Sequence, residues 1–537
     1  MSTGVSPETR ETTPRLHPSR RAIVKGAAWA APVAAASVAA PAMAASPTQC
    51  APVGTLFDAQ ARGRFLSGAI GGVNLDNVAA VEGAHAQAVA GTPIDEESAG
   101  LDVSVLNTLN LSLGGLTGAV SDILTIVAAQ DAGVLNQYAY ANEAAEGTNT
   151  GEIGASGAVN QASGALTLDT GSSNPPELGS IDLRSLLQQV AGDNSVTQLL
   201  SYISDLRLNI GALAGRAYMD SLCVEPDVDQ VERDYLIAYL RLVVESDLVG
   251  QLLTTLNEVL PTLTISTSAV WSILQGVPLL GGLLSALGQS ALEVTATVDL
   301  AQLTGEPIPD DVNSALRIDF EDGTITLDVA SLLGGAYTGD ISEFLNELSP
   351  NTRLFVDAGL PGGAVVALTD SWVDGLIERL KDLVFVSVRA GSVTGLGATG
   401  LLIEGTLRQF LEGGATATFR LLGASINLGA LLNPLLASIG DLVQDTLDTL
   451  LNDSALLDTA LGGVNELLAA LFDVLSGVLS ITVNAQNDAS GTIPSYYQAI
   501  TPAGRYDVAA LHLEILGIAN LLNLSLARGS VGENSPR

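Results

Sequence analysis

Alternating apolar and polar positions recur along the chain and predict β-strands. The alternation is clearest in Leu101–Leu113, Leu206–Tyr218, Leu292–Leu300, Leu383–Arg389 and Val478–Ala485. A period of two places the apolar side chains on one face of a half-buried sheet. These segments therefore predict strands that pack one face against a core.

An acidic turn joins two further alternating segments. Ala315–Phe320 and Thr324–Val329 flank Glu321-Asp322-Gly323. Asp-Gly between alternating runs is a strong hairpin signal. A single turn also offers too few oxygens to hold Ca²⁺, so a hairpin is the favoured interpretation.

Leucine-rich segments with helical spacing lie between the predicted strands. They cover 183–206, 247–260, 369–383, 431–451 and 457–475. Ser246 is a plausible N-cap for the second of them. The leucine stripes could serve as partner-binding or membrane-surface faces, but helices of that kind usually carry Lys or Arg on the polar side. Here the polar side carries Asp, which favours packing onto the protein's own sheets.

A leucine-rich helix leads into an alternating strand four times, near 199–213, 280–300, 376–389 and 467–485. The intervals are irregular, which argues against a solenoid. The pattern predicts an α+β fold that is β-rich, with mostly antiparallel sheets packed with Leu-rich amphipathic helices. We expect one or two intimately packed domains over residues 45–537. Such helices beside curved sheets could also enclose an apolar cavity.

One internal segment has the length of a membrane span. Val259–Leu292 contains no charged residue, and Ala269–Leu287 is long enough to cross a bilayer. Pro278 and the pair Gly281-Gly282 interrupt it, and no basic cluster or aromatic belt flanks it. We therefore predict a buried core helix that breaks near Pro278, and no transmembrane span in the mature chain.

The first 44 residues predict export. Arg20-Arg21 precedes two apolar residues and Lys25, an uncharged Ala-rich stretch follows, and Ala42-Met43-Ala44 forms an A-x-A cleavage pattern. These are the three parts of a secretory leader, and the arginine pair indicates twin-arginine export. An ordinary leader with two incidental arginines is the alternative. We expect cleavage after Ala44 and a secreted or envelope-retained product.

Composition excludes several classes of protein. The chain has 537 residues, 47% of them apolar, and a formal net charge of −36. The apolar content is too high for a disordered chain. A nucleic-acid partner is excluded because so acidic a body repels phosphate, and the same repulsion disfavours an anionic membrane surface.

Two cysteines, Cys50 and Cys223, fall in the predicted mature region. An even number of cysteines in an oxidising exterior suggests one disulfide. A loop of this length gives about 4–5 kcal/mol of stabilisation in the chain-entropy model. Two unlinked buried thiols are the alternative, and the sequence leaves both open.

Candidate catalytic residues are few. The mature region holds two histidines, His85 and His512, far apart in sequence and without a nearby second metal ligand. His85 could act as a general base, but no G-x-S-x-G nucleophile motif accompanies it. His512 lies in an alternating strand, where an outward-facing histidine is expected. A Ser/His hydrolase is therefore a minor hypothesis, and no cofactor is predicted.

Carboxylates and aromatic residues add little chemistry. The acidic run Glu225–Asp234 has D-x-D spacing but lacks the twelve-residue calcium loop, so a solvated charge run is favoured. Trp271 and Trp372 are the mature tryptophans, and Tyr496-Tyr497 is a weak candidate for carbohydrate stacking. We predict no metal site.

Four segments resemble a known family. They are Arg64–Ala86 (RFLSGAIGGVNLDNVAAVEGAHA), Val134–Asn160, Asp234–Leu253 and Tyr506–Asn534, which contains YDVAALHLEILG. Together they resemble the choice-of-anchor G family of exported actinobacterial proteins. The resemblance implies a secreted or envelope-associated protein without an established catalytic role, and it supplies no functional residues. No anchor motif is visible here, which favours release or non-covalent retention.

Two hypotheses of function follow. The first is a secreted or envelope-associated protein, not an enzyme, with a structural or interaction role toward an unknown extracellular partner. The alternative is an extracellular carrier of a lipid or another apolar ligand, held in a cavity lined by the Leu-rich helices.

Overall fold

The computed structural model describes residues 55–78, 82–101, 109–111, 116, 118–126, 135–143, 151–166, 177–190, 192–219, 231–426, 432–452, 454–487, 505–518 and 520–537. Residues Gln49–Arg537 form one compact unit. The predicted leader with Arg20, Arg21 and Ala44 lies outside the described residues, and so do Cys50 and Cys223.

The described strands are numbered in chain order. They are β1 (Phe57–Ile70), β2 (Val73–Asn74), β3 (Ala84–Ala88), β4 (Ile94–Gly100), β5 (Leu124–Ile126), β6 (Asn136–Asn142), β7 (Glu152–Gly157), β8 (Glu177–Asp182), β9 (Asp205–Gly211), β10 (Leu213–Met219), β11 (Val231–Ile237), β12 (Leu240–Glu245), β13 (Leu292–Val298), β14 (Leu316–Asp319), β15 (Thr324–Asp328), β16 (Thr352–Arg353), β17 (Val384–Gly391), β18 (Gly400–Thr406), β19 (Thr416–Leu421), β20 (Ala424–Ile426), β21 (Leu479–Gln486), β22 (Tyr506–Ile515), β23 (Leu522–Val531) and β24 (Ser535–Pro536).

The described α-helices are numbered in the same way. They are α1 (Leu183–Leu187), α2 (Asn194–Tyr202), α3 (Asp247–Val259), α4 (Thr267–Gln275), α5 (Pro278–Leu287), α6 (Leu300–Leu303), α7 (Val329–Leu333), α8 (Ala364–Leu383), α9 (Leu407–Leu411), α10 (Leu432–Asn452) and α11 (Ala455–Gly477).

Four sheets organise the strands. Sheet A has the order β16-β21-β22-β23-β1-β2, with β3 and β24 also paired to β1; sheet B has the order β11-β10-β7-β6-β4. Sheet C runs β14-β15-β12-β9-β8-β5, and sheet D runs β13-β17-β18-β19-β20. Every pair between these strands is antiparallel. The predicted β-rich α+β class with antiparallel sheets and amphipathic helices is confirmed.

Local sequence signals place most of these elements. The predicted hairpin is confirmed, with Asp319 opposite Thr324 across a turn whose Gly323 has φ of 70°. Ser246 caps α3, since its hydroxyl accepts from the Leu248 amide at 3.2 Å. The uncharged segment breaks as predicted, because α4 ends at Gln275 and α5 begins at Pro278. Most of the predicted strand Leu101–Leu113 lies outside the described residues.

Sheets A and B pack face to face through glycine and alanine. A Cβ added to Gly63 in sheet A would lie 2.0 Å from the Ala155 carbonyl oxygen in sheet B, and one added to Gly154 would lie 2.1 Å from the Arg62 oxygen. Ser156 of sheet B donates to the Arg528 carbonyl of sheet A at 2.8 Å. The two backbones are therefore nearly in contact, closer than the usual spacing of about 10 Å between packed sheets.

The leucine stripes lie in one continuous core. On α11, Leu457, Val464, Leu468 and Leu471 are fully buried, and the helix packs against α3 and β21. Among the described residues, α11 is the one helix long and apolar enough to cross a membrane by length and composition. Its buried stripe shows the contacts of a core helix.

Candidate functional site

The polar residues of sheet A share one face, opposite the leucines of β22. Across four neighbouring strands, Thr482, His512, Ser525 and Ser67 lie side by side. All four are at most 4% exposed. Burying so many polar groups costs free energy unless they bond to one another, so this face is the most unusual surface of the fold.

A left-handed alanine extends this polar face along β23. Residues three apart on a regular strand face opposite sides, yet Arg528 joins the face that carries Ser525, because its Nη1 lies 3.4 Å from Ser67 Oγ. Ala527, between them, has φ of 53° and interrupts the alternation. A non-glycine residue with positive φ is uncommon, and strain of this kind concentrates at functional positions.

A buried ion pair anchors the face. Asp507 is fully buried, and its Oδ1 lies 2.6 Å from Arg528 Nε. The Asp507 amide donates to Asn487 Oδ1 at 2.8 Å. Removing one member of a buried pair leaves an uncompensated charge, which typically costs 3–5 kcal/mol. Arg528 is therefore held by its ion pair with Asp507, and the backbone of Asp507 is itself held by Asn487.

His512 is completely buried, so the expectation of an outward-facing, solvated histidine is wrong. Its side chain does lie on the other face of β22 from Leu511 and Leu513, but that polar face is covered by other parts of the protein. Its Nδ1 lies 2.9 Å from Ser525 Oγ. Burial, followed by the charge of Arg528, lowers the pKa of His512 to about 3. A neutral histidine without solvent contact is a structural hydrogen-bonding group and a poor general base.

A second group of cationic side chains lies at the open end of sheet A. β3 pairs with β1 so that His85 lies directly opposite the exposed Arg62, and Arg505 precedes β22 nearby. We name Arg62, His85 and Arg505 the cationic cluster. No carboxylate forms an ion pair with Arg62 or Arg505 in the described part of the chain.

Arg62 and Arg505 repel each other and disfavour a proton on His85. Burial, then the charges of Arg62 and Arg505, lowers the pKa of His85. Burial, then the charge of Arg62, lowers the pKa of Arg505. His85 Nε2 is buried and finds no acceptor or donor among the described groups. The arrangement therefore offers two guanidinium groups to a bound anion.

Carboxylates surround the cationic cluster without neutralising it. Glu97 and Asp95 accept hydrogen bonds from the backbone amides of His85 and Gln87, both at 2.8 Å. Asp76 pairs with Arg64 at 2.8 Å. These acids limit the cluster to a small anionic group and disfavour an extended polyanion.

The two histidines belong to different sites. His85 is separated from the strand of His512 by β1 and β23, and the rows that hold them are five residues apart along the sheet. At the usual strand dimensions this gives a separation of roughly 20 Å. The hydrolase hypothesis needs a histidine beside a nucleophile. The Ser525 hydroxyl does lie beside His512, but both side chains are buried, so the hypothesis stays a prediction.

The remaining sequence candidates do not converge. Trp372 is buried, donates to the Ile308 carbonyl at 2.9 Å and packs edge-on against Phe320, so it is a core residue. Trp271 is half-buried on α4. Tyr496-Tyr497 and residues 225–230 of the acidic run lie outside the described residues. No group of three His, Cys, Asp or Glu suited to a metal occurs in the described ranges.

An open cavity of about 420 Å³ lies between α10 and the segment that follows α3. Its lining is mixed, with Leu263 and Leu450 beside Thr262, Thr264, Asp445, Thr446 and Thr449. The leucines that motivated the carrier hypothesis, such as Leu468, instead pack in the core. The carrier stays an untested prediction.

The fold and these surfaces define a β-rich α+β protein with a covered polar sheet face and a cationic cluster at its open end. The chain belongs to the family DUF8394, a domain of unknown function, whose model matches residues 61–532. That match begins in β1 and ends just after β23, two strands that pair with each other. No curated protein and no solved structure matches the chain.

Proposed function

We propose that the chain is an exported, non-enzymatic interaction protein of the cell envelope or exterior, and that the cationic cluster binds an anionic group of its partner. The observation that carries this proposal is the position of Arg62 opposite His85 on paired strands, near Arg505, with no ion pair to either arginine in the described part of the chain. In a chain of net charge −36, most arginines are expected beside a carboxylate, so two neighbouring arginines without an ion pair among the described residues indicate a binding role.

Electrostatics supports an anionic ligand. An anion placed between Arg62 and Arg505 relieves their repulsion and accepts charge-assisted hydrogen bonds. Carboxylate, phosphate and sulfate groups all fit this chemistry. The acidic surroundings favour a single group on a partner molecule over a nucleic acid.

Two further observations support the rest of the proposal. The leader, with Arg20-Arg21 and the cleavage pattern before Ala45, supports export, as does the resemblance to choice-of-anchor G proteins. The burial and low pKa of His512, and its distance from His85, support a role that does not depend on acid–base catalysis.

The cationic cluster is tested by titrating the purified chain with two small anions, galacturonate and inorganic phosphate, using calorimetry. We expect salt-sensitive binding that weakens about thirtyfold in the variant Arg62→Gln/Arg505→Gln, since the two lost charge contacts are worth about 1 kcal/mol each. Arg207→Gln, in sheet C, is the matched control because Arg207 is exposed and paired with Asp205. Equal affinity in the double variant and the control contradicts the proposed site.

Export is tested separately by fractionating the native host. We expect a chain that begins at Ala45 outside the cytosol, and retention of the full-length chain inside when Arg20 and Arg21 are both replaced by lysine. N-terminal sequencing of the exported product gives the cleavage position. A cytosolic, uncleaved wild-type chain contradicts export and leaves the binding measurement unaffected.

A further inference from the structure

One end of sheet D exposes three leucines. Leu396 lies in the loop between β17 and β18, while Leu421 and Leu422 lie at the turn between β19 and β20. Leu396 is fully exposed and Leu422 is 81% exposed. We name these three residues the leucine tip. Exposed leucines are ordinary when scattered, but a contiguous group indicates an interaction surface.

Two hydrogen bonds hold the two loops of the leucine tip together. The Gly423 amide donates to the Ala398 carbonyl at 2.8 Å. The Leu422 amide donates to Thr399 Oγ1 at 3.0 Å. Because the loops are bonded to each other, the leucines are presented together on a fixed framework.

The conformation of Leu422 costs free energy. Its φ is 49°, in the left-handed region that leucine rarely adopts, and Gly423 follows with φ of 85°. Asparagine is the residue usually preferred at such a turn position. The chain thus keeps an exposed apolar side chain where a polar one is more stable in water.

Acidic side chains are absent from the segments that meet at this end. Residues 259–292 and 390–403 contain no charged side chain, and 413–426 contain one, Arg420. Sheet D brings these segments together, since Leu292 pairs with Ala390, and a Cβ on Gly391 would lie 3.2 Å from Leu287. In a chain with 58 acidic residues, three neighbouring segments without an acid are a specific feature.

We infer that the leucine tip inserts into the interfacial region of a lipid bilayer. Leucines on a protruding turn can enter the headgroup boundary without unfolding the sheet that carries them. Carboxylates near a bilayer lose hydration and repel anionic lipids, which explains why this end excludes them.

The geometry favours a bilayer over a second copy of the chain. The rest of the molecule carries a strong negative charge, so two copies repel each other on approach. The tip is also narrow, whereas stable protein interfaces bury about 800 Å² on each partner. A bilayer accepts a few leucines without needing a matching surface.

Flotation of the purified chain with phosphatidylcholine vesicles, with and without phosphatidylglycerol, tests this inference. We expect wild-type protein to float with phosphatidylcholine vesicles and more weakly with those that contain phosphatidylglycerol, because the acidic body repels an anionic surface. Leu396→Ser/Leu422→Asn is expected to bind at least about tenfold more weakly, because two buried leucines contribute most of the affinity. Asparagine suits the left-handed turn, so the variant is expected to keep its fold, checked by its thermal unfolding.

A control and an alternative readout complete the test. Leu456→Ser removes a leucine that is 57% exposed on α11, and it should float like wild type. Failure of wild type to float, or unchanged flotation of the double variant, overturns the inference. If wild type instead sediments as a dimer that the double variant abolishes, the tip is an interface between copies. None of these results depends on export or on the cationic cluster.

Discussion

Gly154→Val is expected to lower the free energy of unfolding by about 3 kcal/mol or more, the upper end of overpacking costs. An ideal Cβ at Gly154 already lies 2.1 Å from the Arg62 oxygen and 2.4 Å from the Ser530 oxygen. Both obstacles are backbone atoms of sheet A, which cannot rotate away as a side chain does. The valine therefore has to push the two sheets apart. Denaturant unfolding followed by circular dichroism measures the loss.

Gly282→Ala is the matched control with the opposite sign. Gly282 lies inside α5, is exposed, and has nothing within 4 Å of an added Cβ. Alanine in a helix interior is favoured over glycine by about 1 kcal/mol, so this variant is expected to be slightly more stable. If Gly154→Val unfolds at the same denaturant concentration as wild type, sheets A and B are not in the close contact described here.

Local patterns predicted the elements because each signal is contained within a few residues. The alternation in Leu292–Leu300 and Val478–Ala485 yields β13 and β21, and the spacing of leucines in 457–475 yields α11. Pro278 breaks the uncharged segment for a reason that is equally local. Local patterns do not predict which strands share a sheet, since β1 pairs with β23 from the opposite end of the chain. Nothing within either segment specifies that partner.

The close contact of sheets A and B is visible in sequence only in retrospect. In the sequence, Gly63 and Gly154 look like ordinary small residues. Each is required because a carbonyl group from another strand occupies the space of its side chain. The left-handed Ala527 is equally hidden, because alanine gives no turn signal. Features that arise from the contact of distant segments lie outside what local propensity encodes.

The site was predictable in part. Alternation in β22 places His512 and Glu514 opposite Leu511 and Leu513, so a polar face was implied by the pattern. Its burial was not, because burial depends on what covers the sheet. The cationic cluster was missed altogether, since Arg62 and Arg505 meet only after β1 and β22 enter the same sheet. The available signal in the sequence was that nearly all of its few cationic residues are arginines.

Two buried groups on β22 make stability depend on pH in opposite directions. His512 has a pKa of about 3 in the fold against 6.5 when unfolded, so its contribution is complete above about pH 6.5 and is lost as pH falls. Burial raises the pKa of Glu514 to about 7 from 4.5. Its contribution is present below about pH 4.5 and is lost as pH rises through 7, because the buried carboxylate must then ionise.

Glu514→Gln is therefore expected to stabilise the protein in mildly alkaline solution and to have little effect in acid. Glu514 is 5% exposed, and no described group donates to its Oε2. Removing its charge should raise the free energy of unfolding by about 3 kcal/mol near pH 8, and by less than about 1 kcal/mol near pH 5. Because each comparison is made at one pH, the contribution of His512 largely cancels. Glu321→Gln, in the exposed turn after β14, is the control and should show no such difference. An equal gain for Glu514→Gln at both pH values means that the carboxylate is solvated and that this end of the polar face is open to water.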